Sequence, residues 1–361
     1  MKSAHQPKEI HEQVVRFIDS GRSFALVTIL KADGSTPQEV GAKAVIDHTG
    51  KISGTIGGGQ VEAEAQRRTI EACKLKQPAV FDFQLAGAGA HATEPLCGGA
   101  MRLLIDTTVP KNRNAYAHTA EALRQHQKGV LITRISGTHK PKITVQWFSQ
   151  ADMPADTANA EAIRSCLKRE APLLLDYNQN KGEISTEVFI EPIVPKPRLL
   201  IAGGGHIGQA LTYQAVPLGF DITVMDDRRE FTNKVLFPEG VATLCGDIPQ
   251  LITDFSIARD TYIVIVTRGH KKDAEALEAC IHSSAAYIGM IGSKRKVALM
   301  RESFIASGIA TDRKFDRVFA PVGLDIGAVT VEEIATSIMA QLIAVRRKGD
   351  TFANPKDMRL L

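Results

Sequence analysis

Arg198–Arg228 reads RLLIAGGGHIGQALTYQAVPLGFDITVMDDR, and the fold of the second half of the chain follows from it. Arg198–Ala202 is a short apolar run ending in glycines, the pattern of a buried strand in a parallel sheet. Gly203, Gly205 and Gly208 then give G-x-G-x-x-G, and Gln209–Leu218 carries apolar residues at helical spacing. Gly219 stops that helix, Asp221–Met225 is a second apolar strand, and Asp226 stands at its end. Each glycine has a task at such a corner. The first permits the tight turn, the second lets backbone approach a pyrophosphate, and the third packs helix against strand. The helix start offers unpaired amides to phosphate, and Asp226 is placed to accept from a ribose 2′-hydroxyl, a preference that Arg228 and Arg229 close behind it blur. The competing reading is a glycine-rich turn that binds nothing. Strand, glycines, helix, strand and acid in register favour a nucleotide-type crevice.

Beyond this unit the pattern keeps alternating. Val241–Leu244 and Tyr262–Val266 read as strands, with a helix over Asp247–Phe255 between them. His270 follows at the C-terminal end of the second strand, where open α/β sheets place their ligands. It is a candidate general base or ligand contact, with a satisfied loop histidine as the alternative. Tyr287–Ile291 is another strand, and Ser293 caps a helix that opens with Lys294, Arg295 and Lys296. Cations at a helix start oppose its dipole, which makes sense if an anion docks there; solvated lysines are the plainer reading. Thr330 and Glu333 form a capping box for a last helix lined by Ile334, Ile338, Leu342 and Val345. Strands alternating with helices predict a doubly wound parallel sheet over 198–361, and its crevice residues are Gly203, Gly205, His206, Gly208, Asp226 and His270.

Residues 1–190 read as an α+β domain. Pro7–Ser20 is an amphipathic helix stopped by Gly21, and Ser23–Leu30 is a strand. Ala42–Asp47 and Lys51–Ile56 form a hairpin, after which Gly57, Gly58 and Gly59 precede a helix from Gln60 to about Lys74. Glycines before a helix start suit an anion, or a sharp corner that needs glycine; spacing leaves both open. Val80–Gln84 and Ala100–Asp106 are strands on either side of a long small-residue loop ending in Cys97-Gly98-Gly99. Exposed amides beside Cys97 favour a thiolate able to bind a soft metal, while an inert buried cysteine is the commoner fate. Ala120–Ser136 echoes His11–Leu30 as helix, glycine, strand, which predicts two α–β units around one mixed sheet. Three prolines in Glu191–Pro197 mark a linker over 191–197.

Composition narrows the class. With 361 residues the expectation is about two domains, and a net charge of +4 with no basic block argues against nucleic acid. No apolar run approaches the roughly 18 residues of a membrane helix, and the polar start lacks a signal-peptide core. Five cysteines without a C-x-x-C point to a reducing cytoplasm.

Taken together, these segments resemble the XdhC/CoxI family of accessory proteins for molybdenum-containing dehydrogenases. The likeness rests on Gly34-Ser35-Thr36-Pro37 with Gly41-Ala42, on Gly54–Gly59 with Glu62, and on Cys97-Gly98-Gly99. In the second half it rests on Ile201–Gly208, Tyr287–Ser293, and Pro321–Ala328 followed by Thr330 and Glu332–Ile334. The resemblance implies an XdhC-type domain joined to a Rossmann-like domain. It also implies molybdenum cofactor as ligand, held near Gly57, Gly58, Gly59, Gln60 and Glu62 with Cys97 as a metal contact. The implied partners are a xanthine dehydrogenase-type apoenzyme, a cysteine desulfurase and a second copy of the chain. Many relatives carry Cys or His where this chain has Gln60, so a contact made by that side chain is changed here. The alternative is an oxidoreductase binding NAD(P) or another dinucleotide in the crevice, which needs an acid/base group and substrate clamps; His270, Arg268 and Asp325 are available without a recognisable dehydrogenase signature linking them.

Overall fold

The computed structural model describes residues 7–85, 98–137, 140–153, 159–177 and 185–349. The chain divides into two compact units, Met1–Pro195 and Lys196–Leu361.

The first unit contains α1 (Pro7–Asp19), β1 (Phe24–Asp33), β2 (Lys43–Asp47), β3 (Ile52–Gly54), α2 (Gly59–Leu75), β4 (Ala79–Gln84) and β5 (Ala100–Asp106). After these come α3 (Arg113–Arg124), β6 (Gly129–Ser136), β7 (Lys142–Ser149), α4 (Ala160–Arg169), β8 (Leu173–Asp176) and β9 (Thr186–Ile193). The echo between α1–β1 and α3–β6 is present, but the expected single mixed sheet is not. The strands form two sheets, β3-β2-β1-β5-β4 and β7-β6-β9-β8, and every pairing in both is antiparallel. The short connections β1–β2, β2–β3 and β6–β7 each reverse the chain, whereas a parallel neighbour needs a long crossover. Each α–β pair thus begins a sheet of its own.

Alternation in β1 shows how the layers stack. Phe24, Leu26 and Leu30 join α1, α3 and the inner residues of β6, β7 and β9 in one core. Ala25, Val27 and Ile29 face the other way, against Val61, Ala65 and Ala72 of α2. The far face of the second sheet packs on Ile163 and Cys166 of α4. The segment expected as the start of the linker is still strand: Glu191 pairs with Leu131, Ile193 with Gly129, and Ile193 is buried. The Glu191 carboxylate forms a largely buried ion pair with Lys43 of β2, which ties the two sheets together.

The second unit runs β10 (Arg198–Ala202), α5 (His206–Ala215), β11 (Asp221–Asp226), β12 (Ala242–Cys245), α6 (Ile248–Asp254) and β13 (Thr261–Ile265). It continues with α7 (His270–Cys280), β14 (Tyr287–Met290), α8 (Lys294–Ala306), α9 (Asp312–Phe315), β15 (Val318–Phe319) and α10 (Val331–Lys348). All six strands are parallel, in the order β12-β11-β10-β13-β14-β15. This is the doubly wound order 3-2-1-4-5-6, whose direction of winding switches between the first and fourth strands. α5 and α10 cover one face, and α6, α7, α8 and α9 cover the other. Ser293 caps α8 and the Thr330–Glu333 capping box starts α10, as their spacing predicts. The Pro321–Ala328 stretch is held to α10: Gln341 bonds both backbone groups of Gly323, and the Ser337 hydroxyl donates to the Leu324 carbonyl.

Candidate functional sites

The switch point of the parallel sheet lies where β10 ends in its glycines. The three fingerprint glycines differ in what surrounds them. Gly203 has φ +122°, and a Cβ there would stand 2.4 Å from the carbonyl oxygen of Val266, just past β13. Gly208 lies in the first turn of α5, and a Cβ there would meet the Gly203 carbonyl oxygen at 2.0 Å. These two are required by packing. Gly205 has an ordinary φ of −69°, and a Cβ on it would touch nothing within 4 Å. It faces open space at the helix start, where first-turn amides have no intrahelical acceptor. His206 follows it, exposed, and α5 begins there, three residues earlier than its apolar spacing suggests.

Asp226 is engaged within the glycine turn. It is buried, and Oδ2 accepts from the Gly204 amide at 2.8 Å and from Arg228 Nη2 at 3.1 Å. Its Oδ1 accepts from the backbone amide and the Nε of Arg228, both at 3.0 Å. Burial pushes this carboxyl up, but the Arg228 side chain and the two amides outweigh it and hold Asp226 below the ordinary carboxylate range. Its geometry is that of a brace for the glycine turn rather than of a free acceptor. Arg228 lies over the Phe231 ring, its central carbon 3.8 Å from the centroid.

A second buried carboxylate works in the same way across the switch point. Asp273, in the first turn of α7, accepts from the Thr267 hydroxyl at 2.5 Å and from Lys296 Nζ at 2.6 Å. Lys296 therefore has an internal partner, while Lys294, Arg295 and His270 are exposed. Lys272 pairs with Asp227 at the end of β11. The buried Asp273 carries no sequence signal beyond its place four residues after Gly269, and residue spacing does not single it out.

In the first unit, three glycine segments far apart in sequence meet. A Cβ on Gly34 would lie 3.2 Å from the Gly98 carbonyl oxygen, and one on Gly99 would lie 2.5 Å from that of Ser35. A Cβ on Gly57 would reach Pro37 Cγ at 2.5 Å. The Gly34–Pro37 turn is thus in contact with both the Gly57 corner and the Gly98–Gly99 approach to β5. Gly57, Gly58 and Gly59 have φ values of +123°, +70° and +55°, a run that residues with a Cβ rarely adopt. Gly58 and Gly59 have nothing within 4 Å of an added Cβ, and Gly59 and Gln60 are exposed. Glu62 is part of the support: its Oε1 accepts from the Thr55 hydroxyl at 2.7 Å and the Ile56 amide at 3.1 Å. Cys97 lies outside the described residues, one position before Gly98. Among the described residues no group of three or more His, Cys, Asp or Glu side chains is arranged to hold a metal ion.

Both units match one family. The profile described as the XdhC Rossmann domain matches residues 199–342, and that of the XdhC and CoxI family matches residues 17–84. The chain belongs to the XdhC/CoxI family. Among its relatives is the "Molybdenum cofactor insertion chaperone PaoD" of Escherichia coli, 23% identical over 95% of this chain and 92% of that protein. A probable xanthine dehydrogenase component of Bacillus subtilis is 24% identical over 94% of this chain and 98% of its own length. The "Uncharacterized protein YqeB" of Escherichia coli is 26% identical over 94% of this chain, which spans only 47% of that longer protein. A crystal structure from Bacillus halodurans, described as a xanthine dehydrogenase, superposes with a TM-score of 0.69 at 22% identity, covering 96% of this chain and 98% of that one. That likeness establishes the fold of this XdhC/CoxI member. No helix among the described residues is long and apolar enough to cross a membrane.

Proposed function

We propose that this chain is a maturation factor for a molybdoenzyme. It binds molybdenum cofactor, supports its sulfuration with a cysteine desulfurase as sulfur source, and delivers it to a xanthine dehydrogenase-type apoenzyme. The observation that carries this reading is the meeting of the Gly34–Pro37, Gly57–Gly59 and Gly98–Gly99 segments. The likeness to PaoD, a named cofactor insertion chaperone related along nearly its whole length, supports it.

The residues present fit such a ligand. Gly58 and Gly59 leave a cradle of bare backbone that side chains would fill. Behind it, Glu62 fixes the approach of the chain through Thr55 and Ile56. The amides at the start of α2 suit a phosphate group, so Gly58, Gly59 and the first turn of α2 would hold the cofactor's phosphate. Cys97 would contact its metal and sulfur end through a thiolate. When bound, the cofactor supplies the molybdenum and dithiolene sulfurs on which the client's redox chemistry depends. This chain's residues bind it and orient it.

The test is anaerobic purification from a host that makes the cofactor, followed by molybdenum analysis and mass spectrometry of the released pterin. The wild-type chain is expected to retain both, and Cys97→Ser to retain much less while melting within about a degree or two of wild type. Exchange of sulfur for oxygen leaves no large cavity, which keeps the stability change within about 0.5 kcal/mol. A wild-type protein free of pterin and molybdenum, or one that oxidises xanthine unaided, overturns the reading.

A further inference from the structure

In folds of this order an acid at the end of the second strand meets the nucleotide's ribose. Here that acid is Asp226, and it is fully committed. A carboxylate offers about four lone-pair sites. Asp226 has four donors: the Gly204 amide and Arg228 Nη2 on Oδ2, and the Arg228 amide and Nε on Oδ1. A ribose hydroxyl could bond this carboxylate only by displacing one of them.

We infer that Arg228 selects the ligand of this crevice, which takes a nucleotide carrying a phosphomonoester on the 2′-position of its ribose in preference to one with a free 2′-hydroxyl. Arg228 shares Oδ2 of Asp226 with the Gly204 amide, so its guanidinium sits beside the glycine turn. Asp226 engages it side-on through Nε and Nη2. Among the described residues no hydrogen bond occupies Nη1, and the Nη1–Nη2 edge remains, a fork that matches a phosphate in bidentate fashion. The Phe231 ring packs against the guanidinium, its centroid 3.8 Å from the central carbon. Two further carboxylates act on this guanidinium: Asp227, which pairs with Lys272 and stands 3.9 Å from Arg228 Nε, and Glu230. Among the described residues neither bonds the Nη1–Nη2 edge, which is left for an anion.

Calorimetric titration of the full chain with adenosine 2′,5′-bisphosphate and with adenosine 5′-monophosphate tests this directly. The bisphosphate is expected to bind about tenfold to a hundredfold more tightly, the range for added hydrogen bonds to a charged group. Arg228→Leu should erase the difference and Arg228→Lys should keep part of it. Because Arg228→Leu strips Asp226 of its cation and can unfold the turn, the wild-type ratio alone decides. Equal affinities, tighter binding of the monophosphate, or binding of neither overturns the inference. So does equally tight binding of adenosine 3′,5′-bisphosphate, which would reduce the preference to unspecific charge. The outcome is independent of the molybdenum-cofactor reading: a chain that retains the cofactor and shows no preference refutes this inference alone.

Discussion

Two buried polar clusters, one in each unit, are handled in opposite ways. At the C-terminal end of the parallel strands, Asp226 and Asp273 are enclosed and engaged, each by a cation and a backbone or hydroxyl donor. In the core between the antiparallel sheets, His11 is completely buried, and neither ring nitrogen has a hydrogen-bond partner among the described residues. Asp106 has one satisfied oxygen, bonded by Thr108, and one without a partner. Tyr116 stacks on His11 with centroids 6.4 Å apart, and burial raises its hydroxyl well above the ordinary value. The comparison separates two roles for interior polarity. In the second unit it holds a turn in one geometry; in the first it sits as an uncompensated cost that makes stability depend on pH.

The largest expected effect comes from breaking the compensated side. Asp226→Ala removes the acceptor of the Gly204 amide and leaves Arg228 without its partner. Removing one member of a buried pair costs about 3–5 kcal/mol, and Arg228, part-exposed, recovers some of that in water. A loss of about 3 kcal/mol in urea unfolding, with faster hydrogen exchange at Gly203–Gly205, is expected. A loss under about 1 kcal/mol would mean that the turn holds its shape without the brace.

Next in size is the acid response of the first unit. Burial lowers the His11 pKa from 6.5 to about 4, against a smaller rise from Glu191 and a further lowering by Lys43. The unfolded chain binds this proton more readily than the folded one. The stabilisation is therefore complete above pH 6.5 and is lost as pH falls towards 4. At 1.36 kcal/mol per unit the loss is about 3 kcal/mol. Asp106 works in the other direction: burial raises its carboxyl, so protonating it relieves a cost as pH falls. His11→Leu isolates the histidine. Wild type should lose about 3 kcal/mol more than this variant between pH 7 and 4, measured by urea unfolding at each pH. Parallel pH curves for the two proteins would place the acid response elsewhere.

The same contrast explains what was legible before the structure. The parallel sheet is spelled out by local signals: apolar runs buried on both faces, glycines at the corner, a capping box at the last helix. Each depends on neighbours within a few residues. The two-sheet architecture of residues 7–193 is not local. Whether the second α–β unit extends the first sheet or begins another depends on partners such as Lys43 and Glu191, which are 148 residues apart. For the sites, Gly203, Gly205 and Gly208 carry their roles in their spacing. The orientation of Asp226 does not, because the sequence Asp226-Asp227-Arg228 shows an arginine nearby without showing which side of the carboxylate it occupies. The contact of Gly34 with Gly98 likewise follows from the β1–β5 pairing, where Asp33 lies opposite Ala100.

The smallest expected change in stability belongs to Gly205, and its contrast with Gly208 sharpens the distinction between packing and binding at the crevice. Gly208→Ala drives a methyl into the Gly203 carbonyl at 2.0 Å, backbone that cannot move without shifting β10 against α5. Overpacking of this kind costs about 1–3 kcal/mol. Gly205→Ala meets nothing and sits at an ordinary backbone conformation, so it should change stability by less than about 0.5 kcal/mol. Gly205→Val adds two methyls beyond that Cβ, and they occupy the approach that a pyrophosphate needs. The pair of measurements is thermal melting and titration with adenosine 2′,5′-bisphosphate. Gly208→Ala is expected to melt low and Gly205→Val to melt normally with affinity reduced at least about tenfold, a cost of about 1.4 kcal/mol in binding alone. A Gly205→Val protein that melts normally and binds as wild type would move the phosphate away from this helix start. The fold would keep its glycine fingerprint, and the fingerprint would then serve packing through Gly203 and Gly208 and nothing more.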